Sequence, residues 1–301
     1  MAASPLNPKA NYHVRSISLP SRPHPLNLQF EEHLCRLRAC EGTSSSTLPS
    51  ICEKIGVLVD LFDCAHDLLL LPHIQQQTSA QECHKQFADN ALDGSLRLLD
   101  VCGTAKDVLL QTKESTQELQ SILRRRRGGE FGLADEIGVY FTFGEKRKRG
   151  IQKYLRKLKG VENKCSFSPM DSSHDIVAIA SMFTDLEAVT FSVFESLLSY
   201  ISGLKVKSRL RGWSLVSRLM HRKHTACEEE ASDTSEFEKV ALALRALISC
   251  KGGKYISQHV ENVQKRLGKL ESRVQDLEEG LDCLFRSLIR TRVSLLNILN
   301  Y

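Results

Sequence analysis

The sequence is poor in most of the features that carry chemistry. Aromatic residues are 6% of its 301 positions, with one Trp. A core must therefore be mostly aliphatic, and platforms on which single-stranded nucleic acid could stack are scarce. Pro (8) and Gly (17) are few and clustered, which suits long helices and argues against an all-β fold. Period-2 alternation is absent, and the one β-like patch, Val139 to Phe143, is too short to build a sheet. Ten Cys occur without a single Cys-x-x-Cys, so paired-cysteine metal or dithiol motifs are excluded. The glycines of Gly128-Gly-Glu-Phe-Gly132 are not followed by Lys-Ser/Thr, so they make no phosphate-cradling loop. No uncharged apolar run reaches the ~18–20 residues of a membrane span. The closest, Ile176 to Leu204, contains Asp185, Glu187 and Glu195. No secretory signal is recognisable. These absences predict an intracellular, soluble chain, cytoplasmic or nuclear. Its thiols (Cys52, Cys64, Cys102, Cys250, Cys283) sit among apolar neighbours and read as free and buried.

What is present in abundance is helical periodicity. From Ile256 to Ile298, steps of four and three land on an apolar residue at every position but one, Thr291. That spacing averages 3.5 residues per turn and defines one long apolar seam. Similar seams run over Leu48–Leu69 and Ile176–Leu204. Further helices are expected over Leu26–Arg38, Ala80–Arg125 (with a bend or break at Gly94 or Gly103), Ala134–Lys159 and Phe237–Ile248. Thr47 is the expected N-cap of the helix that Pro72 ends. A short helix is expected around Trp213 to Met220. The expected fold is all-α: an elongated antiparallel bundle with a very long C-terminal helix. Residues 1–25, with five Pro and no acid, are expected to be a disordered tail, and residues 26–301 a single all-helical domain. The acid-free, Ser-containing tail also shares its composition with organelle transit peptides, although Pro20, Pro23 and Pro25 spoil an amphipathic helix.

Charge is segregated. Net charge is +5, yet 12 Lys/Arg stand against 4 acids between Arg124 and Lys159. Lys205 to His224 is basic, and Glu228 to Glu238 is acidic. Two blocks, Arg124-Arg125-Arg126-Arg127 and Lys146-Arg147-Lys148-Arg149, are candidate sites for an anionic ligand, whether nucleic acid or membrane headgroup. The bland alternative is a solvated helix end, which four Arg also suit electrostatically. In the tail, Arg15-Ser16-Ile-Ser18-Leu-Pro20 matches the phosphoserine pattern of 14-3-3 ligands, with Ser18 carrying the phosphate; the bland alternative is a Ser/Pro linker. His221, His224 and Cys227 have helical spacing but no fourth ligand, and Cys83-His84 has no third partner. No catalytic, cofactor-binding or metal-binding residues are assigned, and the chain is expected not to be an enzyme. The C-terminal seam has two candidate fillings: the chain's own helices, or a second copy. In a parallel pair, Arg266 and Arg273 would face Glu271 and Glu278.

Three stretches together carry a resemblance. They are His13 to Pro25, then Gly94-Ser-Leu-Arg-Leu-Leu-Asp-Val-Cys-Gly onward to Asp107 and Gln117 to Arg125, and finally Leu277 to Asn300. The chain resembles the plant family called domain of unknown function 241, related to the BYPASS proteins, from about residue 13 to 300. The resemblance implies a plant protein, an all-helical domain and a role in root and shoot development. It brings no reaction, cofactor or catalytic residue. Taken together, the expectation is a non-enzymatic protein that acts through an as yet unidentified protein partner. The alternative is a basic surface that binds anionic membrane or nucleic acid.

Overall fold

The computed structural model describes residues 24–41, 47–72, 74, 82–125, 132–161, 174–203, 235–250 and 253–300. Seven helices account for nearly all of them: α1 Pro25–Glu41, α2 Leu48–Leu69, α3 Glu82–Arg125, α4 Leu133–Val161, α5 His174–Ile201, α6 Glu236–Ser249 and α7 Gly253–Asn300. No strand occurs among the described residues. At 1.5 Å per residue, α7 is about 72 Å long and α3 about 66 Å. The expected break in α3 does not occur: the helix runs unbroken through Gly94 and Gly103. Val139 to Phe143 is helical, since its apolar residues fall on helical rather than alternating spacing. The predicted helix around Trp213–Met220 lies outside the described residues.

The seam of α7 is the axis of the molecule. Val263, Leu267, Leu270, Leu281, Leu284, Leu288 and Leu295 are fully buried, and Val274 and Leu277 nearly so. They are covered by this chain's own α3, α2 and α6. Contacts along the seam fix the directions. Arg292 reaches Leu92 and Ser95, Cys102 meets Leu281, and Lys113 meets Glu278, so α3 and α7 are antiparallel. Gly280 faces Ile55, Ser287 meets Asp63 and Ser294 meets His66, so α2 runs parallel to α7. α6 starts beside the end of α5, where Phe237 and Tyr200 meet edge to face at 5.7 Å. It therefore covers the first turns of α7, while α2 covers the rest. All seven helices contribute to one principal core.

Local signals set several helix ends. Thr47 takes the N-cap backbone conformation with Pro in the first turn, although its hydroxyl makes no capping bond. Ser235 caps α6 by accepting from the Glu238 N–H at 3.3 Å. Gly203, at φ +63°, follows α5 in the left-handed conformation that stops a helix.

α5 is long and apolar enough to cross a membrane by length and composition alone. In the fold it is a core helix. Leu186, Val193, Phe194, Leu197 and Leu198 are buried. Two of its carboxylates are paired within the bundle, Asp185 with Arg38 at 2.7 Å and Glu187 with Arg97 at 2.6 Å.

Candidate functional site

Four regions can be judged as sites: the α2–α7 polar seam, the α3–α5–α7 junction, the groove beside α4, and the outer face of late α7.

The polar seam explains the one break in the apolar run. Thr291 is 2% exposed, and its hydroxyl donates to the Phe62 carbonyl of α2 at 3.2 Å and to its own helix at Ser287 at 3.0 Å. One turn either side, Ser287 donates to Asp63 at 2.9 Å and Ser294 contacts His66 Nδ1 at 2.9 Å. Asp63 also pairs with Arg290 at 3.2 Å. A buried ladder with matched partners fixes the register of two helices that an all-Leu seam would let slide. Ser294 and His66 resemble half of a hydrolytic triad, but Asp63 is engaged by Ser287 and Arg290 rather than by His66. Ser294 is also buried at 4% exposure, on a regular helix. Nothing there orients a substrate.

At the junction, helix α5 approaches α3 closely at Gly94, where an added Cβ would stand 2.7 Å from Glu187 Oε2. Arg97 donates to Glu187 Oε1 through both Nε (3.0 Å) and Nη2 (2.6 Å). Two residues back, Arg292 of α7 donates to the Leu92 carbonyl at 2.6 Å and to Ser95 Oγ at 2.8 Å. Three helices are thus locked within two turns of α3. The glycine is there for a carboxylate, not for flexibility.

The groove beside α4 holds half of one predicted site. Tyr140 lies beside Thr116 and Tyr154 beside Thr104, so α4 lies antiparallel on α3. A cavity of about 620 Å³ opens between them, lined by Lys146, Arg147 and Tyr154 on one wall and Gln111, Glu114 and Glu118 on the other. Burial pushes the Tyr140 phenol up and the neighbouring Arg147 guanidinium down from their ordinary values. The predicted block Lys146–Arg149 is therefore split. Arg147 and Lys148 are half-buried against the bundle, and Lys146 and Arg149 are exposed. A second groove of about 420 Å³ lies between α3, α4 and α5, with Arg97, Asp100, Lys157 and Glu187 in its walls. Both grooves mix charges of both signs, and neither reaches Ser294.

The two predicted basic blocks are not brought together. Arg124 and Arg125 are exposed at the end of α3, with Arg124 donating to Gln120 at 3.4 Å. The antiparallel packing puts them level with the first turns of α4, roughly 20 Å along the axis from Lys146–Arg149. Arg126 and Arg127 lie outside the described residues, as do Arg15, Ser16, Ser18 and Pro20 of the tail and His221, His224 and Cys227. No cluster of three or more His, Cys, Asp or Glu able to hold a metal occurs among the described residues.

The cysteines divide. Cys64 and Cys102 are buried, and desolvation pushes their thiols up to about 11 and about 12. Cys52 and Cys250 are only half-buried, and Cys283 is exposed, which corrects the expectation that it is internal. Its turn of α7 faces solvent between Leu281 and Leu284, and apolar neighbours in sequence sit on other faces of a helix.

On late α7, Ile289, Val293 and Leu296 are 41%, 49% and 40% exposed. They follow i, i+4, i+7 spacing on the face opposite the seam. This end of the helix is apolar on two faces, one packed and one open.

A helical bundle built on Leu277–Asn300 and the Gly94 junction agrees with a family comparison. The family model described as Protein BPS1 matches residues 54–298. The chain belongs to the BPS1 family. This is the plant family of the resemblance, and the match spans α2 to α7, the helices that build the seam and the junction. The tail and α1, which the resemblance also covered in part, precede the matched span. No curated protein and no solved structure matches the chain.

Proposed function

We propose that this BPS1-family protein is not an enzyme and acts in root and shoot development by binding another protein. The observation that carries the reading is the open stripe Ile289, Val293, Leu296 on α7. A helix already fully packed along one face gains nothing for folding from a second apolar face, and exposed apolar rows of this kind serve contacts. The polar sites support the same reading from the other side. The Ser294–His66 pair and the Arg97–Glu187 pair are both engaged in holding helices together. The test is capture of partners from plant extract by the wild-type protein and by a Val293→Glu/Leu296→Glu variant that keeps its helical content. Loss of the captured partner with the variant supports the stripe; equal capture contradicts it.

The tail adds a regulated contact to this proposal. Phosphorylated Ser18 would dock a 14-3-3 protein through the Arg15-Ser-Ile-Ser18-Leu-Pro20 pattern. Equal binding of phosphorylated and unphosphorylated tail peptides would sink that part alone. A second copy of this chain is the alternative occupant of the stripe. It would show as a doubled mass in light scattering that the same double variant abolishes.

A further inference from the structure

The cations of this protein fall into two groups. On the bundle several have carboxylate partners in neighbouring helices: Arg38 with Asp185, Arg97 with Glu187, Lys106 with Asp282, Lys113 with Glu278 and Arg290 with Asp63. On α4 they do not. Lys146, Arg149, Lys153, Arg156 and Lys157 are all exposed, and none forms an ion pair or hydrogen bond among the described residues. Their spacing, 146, 149, 153, 156 and 157, places them on the side of the helix away from the buried Ile137, Ile151 and Leu155, with Lys146 and Lys157 at the rims of the two grooves. Between residues 139 and 157 no acid falls in that sector; Glu145 lies at its margin. Five like charges side by side repel one another unless an anion answers them.

Val139 lies at the edge of that sector, and Phe143 stands beside it at the rim of the groove between α4 and α3. Val139 and Phe143, one turn apart, are 50% and 55% exposed. They stand just N-terminal to the cations, not among them. A row of cations that ends in an exposed aromatic and a Val matches an interface with charge at its surface and hydrocarbon just below. It matches single-stranded nucleic acid poorly, because stacking of bases needs aromatics interleaved with the charges. α4 is also the long helix least held by its neighbours, touching only α3 and α5 to any extent, so no other described helix covers its outer side.

We infer that the outer face of α4 is a docking surface for an anionic lipid bilayer. Lys146, Arg149, Lys153, Arg156 and Lys157 meet the headgroups, and Val139 and Phe143 enter the acyl boundary. This goes beyond the protein contact proposed for α7 and uses a different face, so either can fail without the other.

The test is sedimentation of the full-length protein with vesicles of phosphatidylcholine alone or with added phosphatidylserine. The protein should bind only the anionic vesicles and should be released by high salt. Each basic side chain at such a surface is worth about fivefold in affinity, so Lys146→Glu/Arg149→Glu/Lys153→Glu should weaken binding by at least roughly a hundredfold. Phe143→Asp should weaken it several-fold at unchanged charge on the cations. All four substituted residues are exposed, so circular dichroism and thermal unfolding should match the wild type. Equal binding to neutral vesicles, or anionic-vesicle binding that survives both high salt and the triple substitution, would overturn the inference. So would tight binding to duplex DNA or single-stranded RNA that ignores Phe143→Asp, with no vesicle binding. That result would assign the face to nucleic acid.

Discussion

Helices α4 and α7 make opposite use of similar material. Each is long, amphipathic and rich in Lys and Arg. α7 has its seam filled by α2, α3 and α6, two of its carboxylates, Asp282 and Glu278, matched to Lys106 and Lys113 of α3, and its one polar break bonded to α2. α4 buries only Ile137, Ile151 and Leu155 fully, and it leaves its outer cations unmatched. The difference shows what neutralisation by partners does in a bundle. Surface ion pairs contribute little each, about 0–1 kcal/mol, but a matched set fixes the register of α3 on α7. Unmatched cations fix nothing inside the molecule and remain free for something outside it.

The sharpest way to break this contrast is to put a charge into the α7 seam. Leu288→Arg buries an unpaired guanidinium at a fully buried position and should cost more than about 4 kcal/mol, enough to abolish cooperative unfolding by circular dichroism. Gly94→Ala should cost a net of about 1 kcal/mol. The new methyl displaces the Glu187 carboxylate and weakens its charged hydrogen bonds to Arg97, a loss that outweighs the gain in helix propensity. Urea unfolding measures it. Gly268→Ala should instead stabilise by about 0.5–1 kcal/mol, because nothing lies within 4 Å of the new methyl. Gly280→Ala should gain less than that, since its Cβ would stand 3.2 Å from Ile55 Cγ2. Val293→Glu, on the open stripe, should change stability by no more than about 0.5 kcal/mol.

The thiols give a pH-dependent version. Cys102 keeps its proton in the folded chain up to about 12, whereas an exposed thiol loses it near 9.0. The folded state thus holds the extra proton, and this contribution to stability is full below pH 9 and is lost as pH rises toward 12. Cys102→Ala should flatten that part of the alkaline decline. In the native protein near pH 9, an alkylating reagent should modify exposed Cys35 and Cys283 well before Cys64 and Cys102.

The α7 seam was legible in the sequence because its signal is local: apolar residues at 3.5-residue spacing, uninterrupted by Pro. Helix extents were legible within a few residues for the same reason. Partnership was not. That α2 runs parallel to α7, and that α6 follows α5 along the bundle, depend on contacts between residues more than 200 positions apart or on either side of the 204–234 connection, and no periodicity encodes them. Gly94 read as a point of weakness because propensity counts only the missing side chain; the structure shows the Glu187 carboxylate that needs the space. The block Lys146–Arg149 read as one site because it is contiguous in sequence. Helical geometry turns two of its four residues inward, and joins the outer two to Lys153, Arg156 and Lys157 instead. Which residues at the end of α7 pack and which stay open required the partner helices.

The central claim is that α7 is the spine of the fold and α4 a surface helix held only along one side. Hydrogen exchange of backbone amides in the native protein tests it most directly. Amides of residues 263–295 should exchange only through global unfolding, while those of residues 139–157 should exchange through local opening, at least about a hundredfold faster. Equal protection of the two helices, or faster exchange in α7, would contradict the account.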